Sequence, residues 1–265
     1  YLLPGFVELH TDNLEKHLVP RPKVVWPQAE PAFFAHDAQI VAAGITTVFD
    51  ALSVGEYHDK GRIAMLGRGV DALNHCRRSG MLRAHHLLHL RCEVADPRMR
   101  DLFFPLSDTP CLKLVSLMDH TPGQRQWRDT TAYRTYYSNI KSWTDEEFTA
   151  MMHELEEVRD SCANDNAASV MEFCHLPMAS HDDTLVEHVE EALSNGISIS
   201  EFPTTTEAAC CASENGMLVM MGAPNVVRGG SHSGNASALD VAKEGHLGAL
   251  SSDYVPASLL AAVFE

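Results

Sequence analysis

Three observations predict an α/β chain folded as a (β/α)8 barrel. Eight short apolar runs recur along it, stretches of helical period separate them, and glycines mark the helix-to-strand joints. The runs are 6–10, 45–49, 86–92, 112–118, 176–180, 197–202, 218–221 and 247–251. The first follows Pro4-Gly5, a strand-initiating turn, and the others are rich in Val, Ile, Leu and Met. Helical period marks 32–43, 67–79, 145–163, 184–194 and 206–215. Gly44, Gly80, Gly196 and Gly216 close four of these, where a left-handed residue ends a helix before the next strand. An open doubly wound sheet would need a glycine-rich phosphate loop after a strand, and none is present. Two long βα-loops, 11–31 and 120–144, follow strands 1 and 4. Loops after barrel strands carry function, so both read as substrate walls or lids.

At 265 residues the chain suits one large domain, and 1–265 reads as a single barrel. It opens on Tyr1-Leu2-Leu3-Pro4, already beside a strand, and stops at Phe264-Glu265 inside a helical pattern. It therefore reads as a piece cut from a longer polypeptide, truncated at both ends. The formal net charge of −16 argues against nucleic acid or an anionic membrane as partner. No apolar run reaches the length of a membrane span. Seven cysteines without C-x-x-C spacing read as reduced thiols, which points to the cytoplasm. A homo-oligomer stays open.

The strand ends carry the chemistry. Strand alternation sends His10 and Asp12 to the same side at the end of strand 1. Strand 3 ends at Glu93, strand 4 at Asp119-His120, strand 5 at His181-Asp182-Asp183, and strand 8 at Asp253. Imidazole and carboxylate together suit a divalent ion, with zinc the first choice and manganese the alternative. His10, Asp12, Glu93, His120, His181 and Asp253 are the expected ligands of two such ions, Glu93 bridging them. Asp253 is the expected general base for an attacking water. Asp50, Asp182, Asp183 and the pair His36-Asp37 read as helix caps rather than catalytic groups. A second set suits an anion: Arg21 and Lys23 in the first loop, Arg125 after strand 4, and Arg228, Ser231, His232 and Ser233 after strand 7. Glycines beside the last three let backbone N–H groups approach a phosphate.

The segments PGFVELHTDNLEKHLVPRP, HDAQIVAAGITTVFDAL, LHLRCEV, LVSLMDHTPGQRQ, ASHDD, EFPTTTEAA, MGAPNVVRGGSHSGN and LSSDYVPASLL closely resemble the PhnM family, in order along the whole chain. That family comprises α-D-ribose 1-methylphosphonate 5-triphosphate diphosphatases of the amidohydrolase superfamily, in the carbon–phosphorus lyase pathway. The resemblance implies a metal-dependent hydrolase that removes pyrophosphate from a small anionic triphosphate. It also implies a small β-sandwich domain that this segment lacks. The wider superfamily carries His-x-His on strand 1, a bridging lysine on strand 4 and a histidine on strand 6. Here strand 1 is His-x-Asp, the strand 4 lysine is Lys113 at the wrong end, and strand 6 ends Glu201-Phe202-Pro203. Glu93 therefore replaces the lysine bridge in the expected ligand set. Two rivals accompany this reading: an amide or cyclic-amide hydrolase on the same fold, and a non-catalytic barrel scaffold.

Overall fold

The computed structural model describes residues 2–21, 24–55, 60–137, 143–231 and 234–265. In chain order the elements are β1 (Phe6–Thr11), α1 (Asn13–Leu18), α2 (Glu30–Ala42), β2 (Ile45–Val54), α3 (Lys60–Arg78), β3 (His85–Glu93), α4 (Met99–Ser107) and β4 (Leu112–Met118). Then come α5 (Thr130–Tyr137), α6 (Asp145–Phe173), β5 (Met178–His181), α7 (Val186–Ser194), β6 (Ile199–Glu201) and α8 (Thr206–Glu214). The series ends with β7 (Leu218–Gly222), α9 (Ala223–Arg228), α10 (Ala238–Lys243), β8 (Ala249–Ser251) and α11 (Ser258–Ala262). All eight strands pair in parallel with their sequence neighbours. A parallel bridge between Thr11 and Asp253 joins the first to the last and closes the barrel. Each expected strand is present.

Two elements run well past the C-terminal end of their sequence pattern. β2 continues to Val54, so Asp50 sits inside a strand and caps no helix. α6 continues ten residues past Ala163, through Asn164-Asp165-Asn166, which reads locally as a break. Tertiary contact overrides propensity there: buried Asn166 donates from Nδ2 to the carbonyls of Val94 and Asp96 at 2.8 and 2.9 Å. At its start α6 carries a full capping box, with Thr144 and Glu147 each accepting from the other's backbone N–H.

The apolar core lies between sheet and helices, around Phe33, Ile40, Val48, Leu73, Leu88 and Leu90. A polar ladder is buried in that same layer. His36 on α2 reaches Asp50 at 2.7 Å, Asp50 reaches His86 at 2.8 Å, and His86 reaches Asp37 at 3.3 Å. Because α2 begins at Glu30, His36 and Asp37 lie in its second turn, and neither caps it. Asn13 and Gln39 extend the ladder at one end and Arg83 at the other. His86 donates from both nitrogens to carboxylates, so burial, which would lower its pKa, is overcome by Asp50 and Asp37 and the pKa rises.

The lumen is polar. Glu8, His10, His89, Ser116 and Glu201 are all fully buried or nearly so. Glu8 ties the two ends of the sheet together: one oxygen accepts from His10 N at 2.8 Å and the other from Ser252 N at 2.6 Å. Burial pushes its pKa up to about 7 despite those donors. Among the described residues no helix is long and apolar enough to cross a membrane, and all seven cysteines are free thiols.

Candidate metal centre

A cavity of about 600 Å³ opens at the C-terminal ends of the strands, where the fold puts function. His10, Asp12, His120, His181, Asp182 and Asp253 all line it. Residues distant in sequence therefore converge on one rim. Three of the rim residues just past strand ends are left-handed: Asp182 and Phe202 at φ 57°, and Asp253 at φ 52°. Aspartate tolerates this conformation, whereas an aromatic residue there is strained. Such strain gathers at functional sites. Phe202 packs edge-on against His10 and His181, with ring centroids 4.9 and 5.5 Å away.

Two carboxylates orient the histidines. Glu201, at the end of β6, accepts from Nδ1 of His10 at 2.7 Å and from Nδ1 of His181 at 2.6 Å. Burial disfavours its charge, yet His10 and His89 beside it hold Glu201 well below the usual carboxylate range. Glu93 does the same for His120, accepting from Nδ1 at 2.8 Å and from its backbone N–H at 3.2 Å. In each case Nε2 is left as the free ligand atom, the carboxylate–histidine arrangement typical of metal sites. Both Glu93 oxygens are thereby engaged in orienting His120.

Asp182 stands where two of these nitrogens meet. Its Oδ2 is 3.6 Å from Nε2 of His120 and 3.6 Å from Nε2 of His181. That buried oxygen has no hydrogen-bond partner among the described residues. Ligands in a tetrahedron about 2.1 Å from zinc stand about 3.4 Å apart, so the spacing and the donor types fit a divalent ion. Burial opposes charge on His120, but Glu93 and Asp182 push its pKa up to about 10. The atom so eager for a proton is the one that would bind a cation. Asp12 Oδ1 is also buried without a partner among the described residues. Burial, and then repulsion from Asp12, push Asp253 up to about 6. His89 turns Nε2 to Ser116 at 3.0 Å, and burial drives its pKa down to about 3.

The expected anion set is dispersed. Arg228 and Ser231 line the cavity, with Arg228 Nη1 3.4 Å from the Tyr254 hydroxyl. Arg125 is spent on Asp183 at 2.6 Å and on the His181 carbonyl at 3.1 Å. Arg21 is exposed and does not line the cavity. Lys23, His232 and Ser233 lie outside the described residues. The 120–144 loop contributes Gln126, Trp127 and Tyr137 to the wall, as a lid would; from the 11–31 loop, only Asp12 does so among the described residues. Lys113 is exposed at the start of β4.

Glu201 and Asp182 were the residues sequence reasoning passed over. Glu201 ends strand 6 at the same height as His181 on strand 5, its register partner. Its strand-end position, the same signal that picks out Glu93 and Asp253, was there to mark it. Asp182 resembled a cap, but the N-cap of α7 is Leu185. Asp183 is no cap either; it accepts from Arg125 and from the hydroxyls of Ser180 and Ser200.

A closed parallel barrel with an imidazole–carboxylate cluster at its C-terminal mouth defines a metal-dependent barrel hydrolase. No family model matches the chain. It is 48% identical, over 273 aligned residues, to the α-D-ribose 1-methylphosphonate 5-triphosphate diphosphatase of Escherichia coli (strain K12), covering 100% of this chain and 71% of that protein. The chain belongs to that diphosphatase family. Among solved structures, 5-methylcytosine deaminase from Klebsiella pneumoniae liganded with phosphonocytosine superposes with a TM-score of 0.54 at 12% identity, covering 98% of this chain and 68% of the deaminase. The same deaminase with 5-fluorocytosine gives 0.53 at 10% identity, covering 96% and 64%. At such identities the likeness is one of fold.

Proposed function

We propose that this chain is a metal-dependent hydrolase that removes pyrophosphate from α-D-ribose 1-methylphosphonate 5-triphosphate. The carrying observation is the 48% identity to the Escherichia coli diphosphatase across the whole chain. The converging histidines and carboxylates supply matching chemistry. Family membership favours this reading over amide hydrolysis or a silent scaffold.

His120, His181 and Asp182 would hold a divalent cation, zinc first and manganese second. When bound it would polarise a phosphoryl oxygen and acidify water. The expected second ion would fall to His10, Asp12 and Asp253, and metal content per chain, one ion or two, tests that expectation. Glu201 and Glu93 keep the imidazoles in the tautomer with Nε2 toward the cavity. Asp253, which lines the same cavity, is the carboxylate proposed to take a proton from an attacking water. Arg228 and Ser231 stand at the wall where a polyphosphate tail would lie, and Lys23, His232 and Ser233 belong to the same proposed set, as do Arg21 and Arg125. For Arg125 this means exchanging Asp183 for substrate.

Phosphorus NMR of reaction mixtures, with zinc or manganese added, tests the function. The expected products from the methylphosphonate triphosphate are pyrophosphate and the 5-monophosphate. Stepwise release of orthophosphate, or an intact triphosphate under every metal loading, would refute it.

A further inference from the structure

Arg91 sits two residues before Glu93 on β3 and lines the cavity. It is only 9% exposed, and its Nε has no hydrogen-bond partner among the described residues. Nor does it form an ion pair among them, although Asp12 and Asp253 line the same cavity. Other arginines of the barrel are provided for: Arg125 closes on Asp183 and Arg159 on Asp119, each at 2.6 Å. Arg91 lies near enough to His10, His89 and Asp253 for its charge to act on all three. A guanidinium cannot shed its proton at any ordinary pH, so burial cannot neutralise it. Burying such a cation unpaired is costly, and a fold that keeps one has a partner for it. Arg91 lines a cavity that opens to solvent, and a ligand entering it can supply that partner.

We propose that Arg91 is an anion-binding residue of this site, taking oxygens of a tetrahedral phosphoryl or phosphonate group on the His10–Asp253 side of the cavity. The substrate class rests on the function proposed above; the anion site itself does not. A planar guanidinium offers two parallel N–H donors, which match two oxygens of such a group. The other cavity arginine, Arg228, lies on the wall beside Tyr254, and Arg125 is already bound to a carboxylate. The anion held by Arg91 belongs either to the triphosphate tail or to the methylphosphonate end, since both present the same tetrahedral oxygens.

Calorimetric titration of the metal-loaded protein with pyrophosphate and, separately, with methylphosphonate distinguishes the two sources. Metal content is measured alongside. Arg91→Gln is expected to weaken one probe at least tenfold while retaining the metal, and the probe affected names the end that is bound. Arg91→Lys is expected to fall between, because an ammonium keeps the charge and loses the fork. In steady-state kinetics the expected signature is a rise in KM exceeding the fall in kcat. Equal affinities for both probes in wild type and variant, or no binding of either by the wild type, overturn the proposal. Where Arg91→Gln fails to fold, Arg91→Lys carries the same reading. If the triphosphate resists hydrolysis while pyrophosphate binding still depends on Arg91, the functional reading fails and the anion site stands. Hydrolysis by Arg91→Gln with the wild-type KM does the reverse.

Discussion

Substituting Glu201 by Gln isolates the role of the carboxylate that orients two histidines. Its two oxygens accept Nδ1–H from His10 and His181 at 2.7 and 2.6 Å, in a fully buried setting. An amide of the same shape keeps one acceptor and replaces the other with an NH2 donor. Whichever histidine faces the NH2 must accept there, which moves its proton to Nε2 and blocks that atom as a ligand. Loss of the negative charge also makes both imidazoles poorer donors to a cation. Removing a partner of this kind costs about 10–100-fold in metal affinity. In free energy that is about 1.4–2.7 kcal/mol. Zinc affinity, measured by competition with a chromophoric chelator on wild type and variant, should show a loss of at least that size. A folded Glu201→Gln protein whose zinc affinity stays within threefold of wild type would refute the orienting role.

Asp253→Asn should lower kcat by about 10²–10⁴-fold with little change in KM, as for loss of a general base; equal loss of substrate binding would mark a structural role instead. Asp50→Asn should destabilise the fold by about 3–5 kcal/mol in urea denaturation, because it leaves the buried His86 imidazolium without its main partner. The His86 pKa is raised from its ordinary 6.5, so its contribution is full below that value and is lost as pH rises through the higher folded one. Asp50 is pushed down to about 2, so its contribution is present above its ordinary 3.8 and lost as pH falls toward 2. Denaturation from pH 5 to 9 should therefore show wild type weakening on the alkaline side more steeply than His86→Gln. Asn166→Ala should cost about 2 kcal/mol, read from the urea midpoint, by removing the donor to the Asp96 carbonyl and leaving the Val94 carbonyl only the weak Cys162 thiol.

The barrel was legible because its strands are short apolar runs and its helix ends carry glycine, both local signals. The rim residues His10, Asp12, His120, His181 and Asp253 were legible because strand alternation and strand-end position are also local. Glu201 was not, since its meaning lies in partners 20 and 191 residues away, and Asp182 was not, since it gains its place only where the fold brings His120 beside it. Arg125 shows the converse. Its loop position suggested an anion clamp, but only the fold reveals Asp183 beside it. His36, Asp37 and Asp50 looked like caps because each lies beside a helix or strand boundary in sequence, and that boundary moved once packing set it. Arg91 carried no signal at all until its burial was known.

Glu8 has a consequence for how this protein comes to be assembled. Its side chain joins β1 to Ser252, 244 positions away, while Asp253 N donates to the carbonyl of His10. These contacts can form only after the whole stretch from Glu8 to Asp253 has been made, and contacts so remote in sequence slow the search for the native state. The peptide groups that seal the seam are neighbours of the His10 and Asp253 side chains, so closure of the ring and alignment of that half of the pocket are one event. Any change that loosens the seam will therefore disable the pocket well before it unravels the rest.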